Sequence, residues 1–303
     1  MNILFCDNPL DNKAVDPDFA DEFAAAKENG FTAHLFSFEK LTQDENALAS
    51  IGKVKPHESL RTIIYRGWML KPKQYSALYE GLLSKNFKLI NSPTEYQNCY
   101  YLPDSYRFIK EYMPETVWLS VRNQQVDYKQ VFGSMALFAD SPVIVKDFVK
   151  SQKHYWETAC YIPSASDENK VKAVIEKFVK LQGADLNEGL IIREFVALND
   201  LSIHSKTRMP LKQEYRLFFL NGCLIGCYDY WEEGEYDENE QPPLDVFKGI
   251  ARCIESNLFS MDIAKAKSGD WIIIELGDGQ VAGLPDNVDK QEFYRLARQY
   301  YGS

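Results

Sequence analysis

The sequence lacks both a long apolar run and a surplus of positive charge. No stretch reaches the roughly 18 apolar residues that a membrane-spanning helix needs, and residues 1–7 lack the basic start of a signal peptide. The 44 acidic residues outnumber the 34 basic ones, which gives a net charge of −10. Nucleic acids and anionic membranes require a cationic surface. We therefore expect a cytoplasmic protein that binds neither of them.

Paired cysteines are also missing. The sequence has no C-x-x-C motif, and most of its cysteines lie inside apolar stretches. Cysteines in that setting are more often buried free thiols than disulfide partners or zinc ligands. We expect free thiols at Cys6, Cys99, Cys160, Cys223, Cys227 and Cys253.

The common nucleotide-binding and hydrolase motifs are absent as well. The sequence contains no P-loop, no G-x-G-x-x-G after the first strand, no kinase H-R-D or D-F-G motif and no G-x-S-x-G elbow. Its 45% hydrophobic and 14% aromatic content nevertheless predicts a substantial core. The length of 303 residues fits one large domain or two to three small ones.

The first ninety residues alternate between strand-like and helix-like segments. Strands are predicted at 2–6, 32–38, 61–65 and 88–90, with helices that begin near Pro17 and Pro72. Such alternation builds a parallel α/β layer, and ligands bind beyond the carboxyl ends of its strands. Arg66 directly follows the third predicted strand. It is a candidate substrate anchor, and an ordinary solvated loop arginine is the alternative.

Prolines at 93 and 103 interrupt this alternation and indicate a boundary. Beyond it, the sequence predicts strands at 142–149 and 190–196 and an amphipathic helix at 167–182. Asn221-Gly222, between two apolar runs, strongly indicates a β-hairpin. A second hairpin is predicted where the apolar runs at 260–263 and 271–276 flank a polar turn.

Charged residues interrupt several of these apolar strands, although an unpaired buried charge costs several kcal/mol. Asp262 and Glu275 would come within a few ångströms of each other on neighbouring strands, where a cation relieves their repulsion. Oxygen ligands favour magnesium, often together with phosphates. The alternative is that Glu275 ends a strand at the solvent and Asp262 belongs to a turn. The interrupting residues are Lys146, Arg193, Glu194, Arg216, Asp262 and Glu275.

The order of these elements resembles the ATP-grasp superfamily of ligases over essentially the whole chain, in particular the clade named for two arginines and a lysine. The resemblance implies an α/β (α+β) fold. An N-terminal pre-ATP-grasp α/β domain would occupy residues 1–93, and a two-subdomain ATP-grasp fold would occupy 94–303. Within the latter, 94–196 would be the smaller nucleotide-clamping subdomain and 197–303 the larger subdomain with the metal site.

The resemblance also implies roles for individual residues. Lys146 would contact the α- and β-phosphates, and Arg216 would act on the γ-phosphate or acyl-phosphate side; these two are the implied catalytic residues. Residues 192–196 resemble the hinge strand whose backbone reads adenine, through Glu194 and Val196, with Phe195 packed nearby. The implied nucleotide-binding residues are Arg107, Lys146, Lys153, Arg193, Glu194, Phe195, Val196 and Arg216.

Two departures from the family pattern concern the metal site and the phosphate loop. Asp262 and Glu275 match the two metal-carboxylate strands, but the usual asparagine two residues after the glutamate is Gly277 here. Asp278 or Gln280 could substitute, and we favour Asp278. Residues 147–153 also lack the proline and glycine-rich flap of relatives, so lysines would replace backbone amides on the phosphates.

The implied activity is an ATP- and Mg²⁺-dependent carboxylate–amine ligase that forms a peptide or amide bond through an acyl phosphate. Its substrates would be small-molecule or peptide carboxylates and amines, with Arg66, Lys206 and Arg208 as candidate substrate residues; a homodimer is left open. The acidic run after Trp231 is more typical of a solvated segment than of an amine-binding site. The alternatives are a kinase of the same fold and a non-catalytic nucleotide-binding or interaction module.

Overall fold

A computed structural model describes residues 1–206, 209–237 and 240–301. The chain forms two compact units. The first comprises residues 1–100, 200–264 and 274–303, and the second comprises 101–199 and 265–273. The division of the sequence at residues 93 and 196 stays a prediction. Among the described residues, the structure contains no helix with the length and apolarity of a membrane span.

Residues 1–100 form a parallel sheet with helices between its strands, as the sequence pattern predicts. The strand order is β2-β1-β3-β4, and all three pairings are parallel. The elements are β1 (Asn2–Cys6), α1 (Ala20–Glu28), β2 (Thr32–Phe36), α2 (Phe38–Thr42), α3 (Ala47–Ser50), β3 (Arg61–Arg66), α4 (Pro72–Leu83), β4 (Phe87–Leu89) and α5 (Pro93–Tyr100). The prediction of an N-terminal α/β layer is confirmed.

A distant segment completes the open edge of β3. Strand β4 pairs only with residues 61–63, so the rest of that edge needs other partners. Gln280 supplies them, because its side-chain Oε1 accepts from the Tyr65 amide at 3.1 Å and its carbonyl accepts from the Gly67 amide at 3.3 Å. The chain beyond residue 278 is thereby fixed against the parallel sheet.

Residues 101–199 form an antiparallel sheet backed by helices. The strand order is β5-β8-β6-β7. The elements are α6 (Leu102–Ile109), β5 (Thr116–Ser120), α7 (Tyr128–Met135), β6 (Val143–Asp147), β7 (Tyr161–Ile162), α8 (Glu168–Gln182) and β8 (Gly189–Glu194), with a π-helix at Trp156–Cys160 and 3₁₀ turns that include Lys153–Tyr155.

Helix α8 covers one face of this sheet. Asp167 caps its first turn by accepting from the Lys170 amide, and Gly183 ends it with a positive φ. Its buried residues recur every three to four positions and pack on alternate residues of β6 and β8. They are Val171, Val174, Ile175, Phe178 and Val179. Because side chains alternate along a strand, this packing leaves the opposite face of the sheet to Lys146 and Arg193.

Four of the remaining strands form a second antiparallel sheet in the order β12-β11-β13-β14, and the other two, β9 and β10, form a separate two-stranded antiparallel sheet. The predicted hairpin is confirmed: Asn221 and Gly222 both have positive φ and join β11 to β12. The elements are β9 (Asp200–Ile203), β10 (Pro210–Lys212), β11 (Glu214–Leu220), β12 (Cys223–Asp229), α9 (Leu244–Ala251), β13 (Leu258–Lys265), β14 (Trp271–Asp278) and α10 (Lys290–Tyr300).

One hydrophobic cluster joins this sheet to the N-terminal layer. Phe218 and Leu220 of β11 pack in the same core as Phe5 of β1 and Phe293 of α10. The first and last segments of the chain therefore share a core within the first compact unit. All six cysteines are free thiols as predicted, although only three are buried and Cys253 is exposed.

Candidate active site

A bidentate ion pair lies between β11 and β13. Arg216 is directly opposite Asp262 in the strand register, and its Nε and Nη2 each donate to one carboxylate oxygen at 2.7 Å. Its Nη1 donates to the Gly283 carbonyl at 2.9 Å, and the Tyr230 ring lies 4.8 Å from the guanidinium. Burial disfavours the guanidinium charge, but the adjacent Asp262 outweighs it and raises the pKa of Arg216 above its ordinary value. The cation is thus fixed and permanently charged.

Glu275 lies across from Asp262 on β14. The Ser260 hydroxyl donates to the Gly277 carbonyl at 3.4 Å, and a Cβ at Gly277 would lie 2.8 Å from the same hydroxyl oxygen. These contacts place Ser260 opposite Gly277 on the neighbouring antiparallel strand. Two residues later on β13 and two residues earlier on β14, Asp262 and Glu275 are therefore opposite each other on the same face. Glu275 also raises the pKa of Arg216, which places its charge near the ion pair. Two carboxylates and one arginine therefore converge on one face of the sheet.

Asp278 belongs to a different environment. It lies three residues after Glu275, so strand alternation directs it to the other face of β14. Its carboxylate is buried and accepts from the Asn91 side-chain amide at 2.6 Å, and from the backbone and side-chain amides of Gln280 at 2.9 and 3.1 Å. This geometry does not support the prediction that Asp278 is the third metal ligand. The Gln280 side chain is engaged in the same network.

Asp278 is expected to make stability depend on pH. Burial raises the pKa of Asp278 to about 7, against the opposing effect of the donors on its oxygens. The folded state therefore holds a proton that the unfolded state releases above about pH 4. The protonated Asp278 carboxyl therefore contributes fully to the free energy of unfolding below that pH, and this contribution is lost as the pH rises toward 7.

Substituting Asp278→Asn should remove this pH dependence. Between pH 5 and pH 8, the free energy of unfolding of the native chain should fall by on the order of 2 kcal/mol more than that of the variant. The difference between their thermal unfolding midpoints should therefore narrow as the pH rises. Asp245→Asn, at an exposed position, serves as the control. A constant gap between native chain and Asp278→Asn across this range would show that Asp278 does not titrate there.

Arg66 is a buried structural residue, which corrects the prediction that it anchors substrate. Its side chain is 2% exposed, and its Nε and Nη2 donate to the two Glu22 oxygens at 2.9 and 2.8 Å. Its Nη1 donates to the Gly279 and Ala282 carbonyls at 2.7 and 2.8 Å. The Tyr294 hydroxyl donates to the same glutamate at 2.6 Å. These contacts tie β3 and α1 to α10 and to the segment after β14.

Lys146 and Arg193 share the face of the second sheet that is opposite to its helices. In the antiparallel register Lys146 pairs with Ile191 and Arg193 pairs with Ile144, so the two cations are diagonal neighbours on β6 and β8. Both are buried, at 7% and 4% exposure. The structure thus brings together two of the predicted nucleotide-binding cations.

The predicted hinge follows directly after β8. The amides of Glu194 and Phe195 donate to the Glu115 and Pro142 carbonyls at 2.9 Å each. An adenine contact by Glu194 would therefore use its carbonyl. The centroid of the Phe195 ring lies 5.1 Å from that of Tyr161 and 6.0 Å from that of Trp156, so aromatic side chains pack beside the hinge. The prediction that Glu194 and Val196 read adenine stays a prediction.

The other predicted contacts lie on more exposed elements. Arg107 is exposed on α6 with its guanidinium 4.4 Å from the Phe108 ring, and Lys153 is exposed at the start of its 3₁₀ turn. Lys206 is exposed after β9. Arg208 lies outside the described residues.

Two residues of the acidic segment after Trp231, Glu233 and Gly234, contact the chain at and after β9. Glu233 accepts from the Ser205 backbone amide at 2.6 Å and from its hydroxyl at 2.7 Å, and these bonds lower the pKa of Glu233. Gly234 allows a close approach to β9, because a Cβ there would lie 2.7 Å from the Leu201 side chain. These contacts hold Ser205, the residue before Lys206, in place.

One functional candidate was not predicted as a site residue. Asp147 directly follows Lys146, is fully buried, and accepts several N–H bonds from the loop after β6 and the loop before β8. A carboxylate at the end of an apolar strand was the available signal. Gly189 directly precedes Leu190, which pairs with Asp147. It permits close packing of β8 against β5, because a Cβ there would overlap the Leu119 carbonyl oxygen.

The carboxylates of Asp262 and Glu275 fit a magnesium ion. Among the described residues, no group of three or more His, Cys, Asp or Glu side chains is arranged to hold a metal. Magnesium, however, commonly uses one or two carboxylates and completes its octahedron with water and phosphate oxygens. Each Asp262 oxygen can accept from Arg216 and still present a second lone pair. Asp262 and Glu275 are thus the residues that would hold the ion.

Solved structures similar to this chain include ATP-grasp proteins. A RimK domain protein ATP-grasp from Sphaerobacter thermophilus DSM 20745 aligns over 100% of both chains with a TM-score of 0.62 and 11% identity. ATP-grasp ligase PsnB, solved with minimal precursor, Mg and ADP, covers 99% of this chain and 98% of its own (TM-score 0.56, 12% identity). D-cycloserine synthetase DcsG covers 99% of each (TM-score 0.58, 12% identity). At these identities the likeness establishes the ATP-grasp fold.

The sequence itself identifies the family. Residues 132–296, more than half of the chain, match the ATP-grasp domain of family 3 in the clade named for two arginines and a lysine. The chain belongs to this family, which confirms the predicted family and fold and makes ATP with Mg²⁺ its cofactors. No curated protein matches the sequence.

Proposed function

We propose that the chain is an ATP- and Mg²⁺-dependent ligase that joins a carboxylate to an amine through an acyl-phosphate intermediate. The observation that carries this proposal is the convergence of Arg216, Asp262 and Glu275 on one face of the β11–β13–β14 sheet, in a chain of the ATP-grasp family. A fixed arginine beside two carboxylates suits a reaction in which a metal-bound phosphoryl group is transferred.

Two proteins of similar structure support this reaction class. PsnB was solved with a precursor peptide and a nucleotide, and DcsG is a D-cycloserine synthetase. We infer by analogy that the substrates are a carboxylate and an amine, either small molecules or peptides. Lys206 and Arg208 are the remaining candidates for binding the carboxylate, since Arg66 is occupied by Glu22.

The proposed roles follow from the position of each side chain. Lys146 and Arg193 would neutralise the phosphates, and the backbone of Glu194 and Val196 would hold adenine. Arg216, pre-oriented by Asp262, would stabilise negative charge on the transferring phosphoryl group. Bound magnesium, held by Asp262 and Glu275, would supply the remaining charge neutralisation.

The reaction proceeds in two displacements. First, a carboxylate oxygen of the substrate bonds to the γ-phosphorus while the bond from that phosphorus to the bridging oxygen breaks, which releases ADP. The amine nitrogen then bonds to the acyl carbon, inorganic phosphate leaves with one former carboxylate oxygen, and the amine gives up a proton. The protein contributes alignment and electrostatic stabilisation to both steps.

A screen for ADP release tests the proposal. The native chain with Mg²⁺ and ATP is supplied with pairs of amino acids and short peptides, and products are identified by mass spectrometry. We expect ADP release that depends on one acid–amine pair, with a product lighter by one water than the sum of that pair. Accumulation of a phosphorylated substrate would identify a kinase instead. The absence of any magnesium-dependent ATP binding would favour a non-catalytic interaction module.

A further inference from the structure

The loop that follows Lys146 is built around one buried carboxylate. Asp147 has no exposed surface, and its Oδ1 accepts from the backbone amides of Val149 (2.7 Å) and Lys150. Its Oδ2 accepts from the Gln182 side chain at 2.9 Å, and from the backbone and side-chain amides of Asn187 at 3.1 and 2.9 Å. Five N–H donors thus converge on one carboxylate, an arrangement that stabilises its charge without water.

These bonds fix the loop at both of its ends. At the near end, the Asp147 amide donates to the Lys150 carbonyl at 2.9 Å, which closes a tight turn over residues 147–150. At the far end, the Gln152 side chain donates to Gln182 Oε1 at 3.0 Å, and Gln182 in turn donates to Asp147. The carboxylate therefore controls the path of the chain from β6 to residue 152.

Three lysines flank the carboxylate. Lys146 lies on the strand one residue before Asp147, and Lys150 and Lys153 are exposed on the loop itself. The loop contains no glycine, so its backbone has none of the freedom with which a glycine-rich flap folds over phosphates. Side-chain hydrogen bonds set its shape instead.

We propose that Asp147 is the positioning residue of the phosphate-binding loop, and that Lys150 is a further phosphate-binding residue that it positions. The inference rests on the proposed function, which assigns Lys146 to the triphosphate. The carboxylate does not touch the nucleotide. It holds residues 147–152 so that lysine side chains, in place of flap amides, face the phosphates.

A ligand with phosphates and a ligand without them distinguish a loss of loop positioning from a general loss of stability. Binding of Mg²⁺–AMPPNP is measured by calorimetry, and binding of adenosine by ligand-observed NMR. For Asp147→Asn we expect AMPPNP affinity to fall at least tenfold while adenosine affinity changes less than twofold. Lys150→Ala should lower only AMPPNP affinity, by about fivefold. Asp140→Asn, an exposed aspartate of the same unit, should change neither.

A second variant covers the case in which Asp147→Asn does not fold. Gln182→Met removes the link between Asp147 and Gln152 but leaves the loop amides on the carboxylate. It should lower AMPPNP affinity about threefold and leave adenosine affinity unchanged. Equal losses for both ligands in either variant, or no loss for AMPPNP, would overturn the role of Asp147. If the native chain binds no Mg²⁺–AMPPNP at all, the proposed function fails, and this inference with it.

Discussion

Replacing Glu275 with glutamine is expected to lower ADP release by roughly a thousandfold, because the change removes one of two carboxylates that would hold magnesium. Glutamine has nearly the same shape, and Glu275 is only half buried, so the fold should tolerate the change. The thermal unfolding midpoint should therefore move by no more than about 2 °C. Activity is measured with the substrate pair that the screen identifies.

Nucleotide binding gives a readout of the same variant that does not depend on the substrate. In the native chain, AMPPNP affinity should rise with magnesium concentration, and in Glu275→Gln most of this dependence should disappear. Glu235→Gln changes an exposed glutamate and should leave both activity and magnesium dependence intact. A Glu275→Gln protein with native activity would remove Glu275 from the metal site.

Replacing Arg66 with methionine is expected to cause the largest loss of stability. The substitution leaves Glu22 buried without its cation and removes the donors to two carbonyl groups, Gly279 and Ala282. Breaking one partner of a buried ion pair costs about 3–5 kcal/mol, which for a chain of this size lowers the unfolding midpoint by about 10 °C. Differential scanning calorimetry of the purified variant measures the shift.

A double variant and an exposed pair make this test specific. Glu22→Gln combined with Arg66→Met should be less destabilised than the sum of the two single changes, because no uncompensated charge remains. The pair Arg295–Glu292 has similar geometry, with two contacts of 2.6 Å, but is exposed. Arg295→Met should therefore shift the midpoint by less than about 1 °C. An Arg66→Met protein that is stable but inactive would restore Arg66 as a substrate residue.

Local patterns were sufficient to predict much of the fold. Asn221-Gly222 specifies its hairpin because both residues adopt positive φ at low cost. The strands of the N-terminal layer could be predicted because short apolar runs alternate with helices that have recognisable starts. The facing positions of Arg216 and Asp262 depend on strand register, which periodicity does not specify. Their assignment to one site came from the resemblance to a known family.

The errors at the site have physical reasons. Arg66 was predicted to bind substrate because it ends a parallel strand, but its partner Glu22 lies 44 residues earlier on a helix. No local pattern reveals that pairing. Asp278 was favoured as a metal ligand because it adjoins Gly277, where relatives have an asparagine, although the odd spacing between Asp278 and Glu275 on a strand leads to opposite faces. The role of Asp147 depends on donors from residues 182 and 187, which only the folded chain brings together.

The transfer of oxygen from substrate to phosphate tests the central claim most directly. The acid identified by the screen is labelled with ¹⁸O in both carboxylate oxygens and turned over with ATP, Mg²⁺ and the amine. We predict that each inorganic phosphate released carries one ¹⁸O atom and that the amide product retains the other, because the acyl phosphate transfers one carboxylate oxygen to phosphate. Unlabelled phosphate, with both ¹⁸O atoms still in the acid, would contradict the acyl-phosphate mechanism.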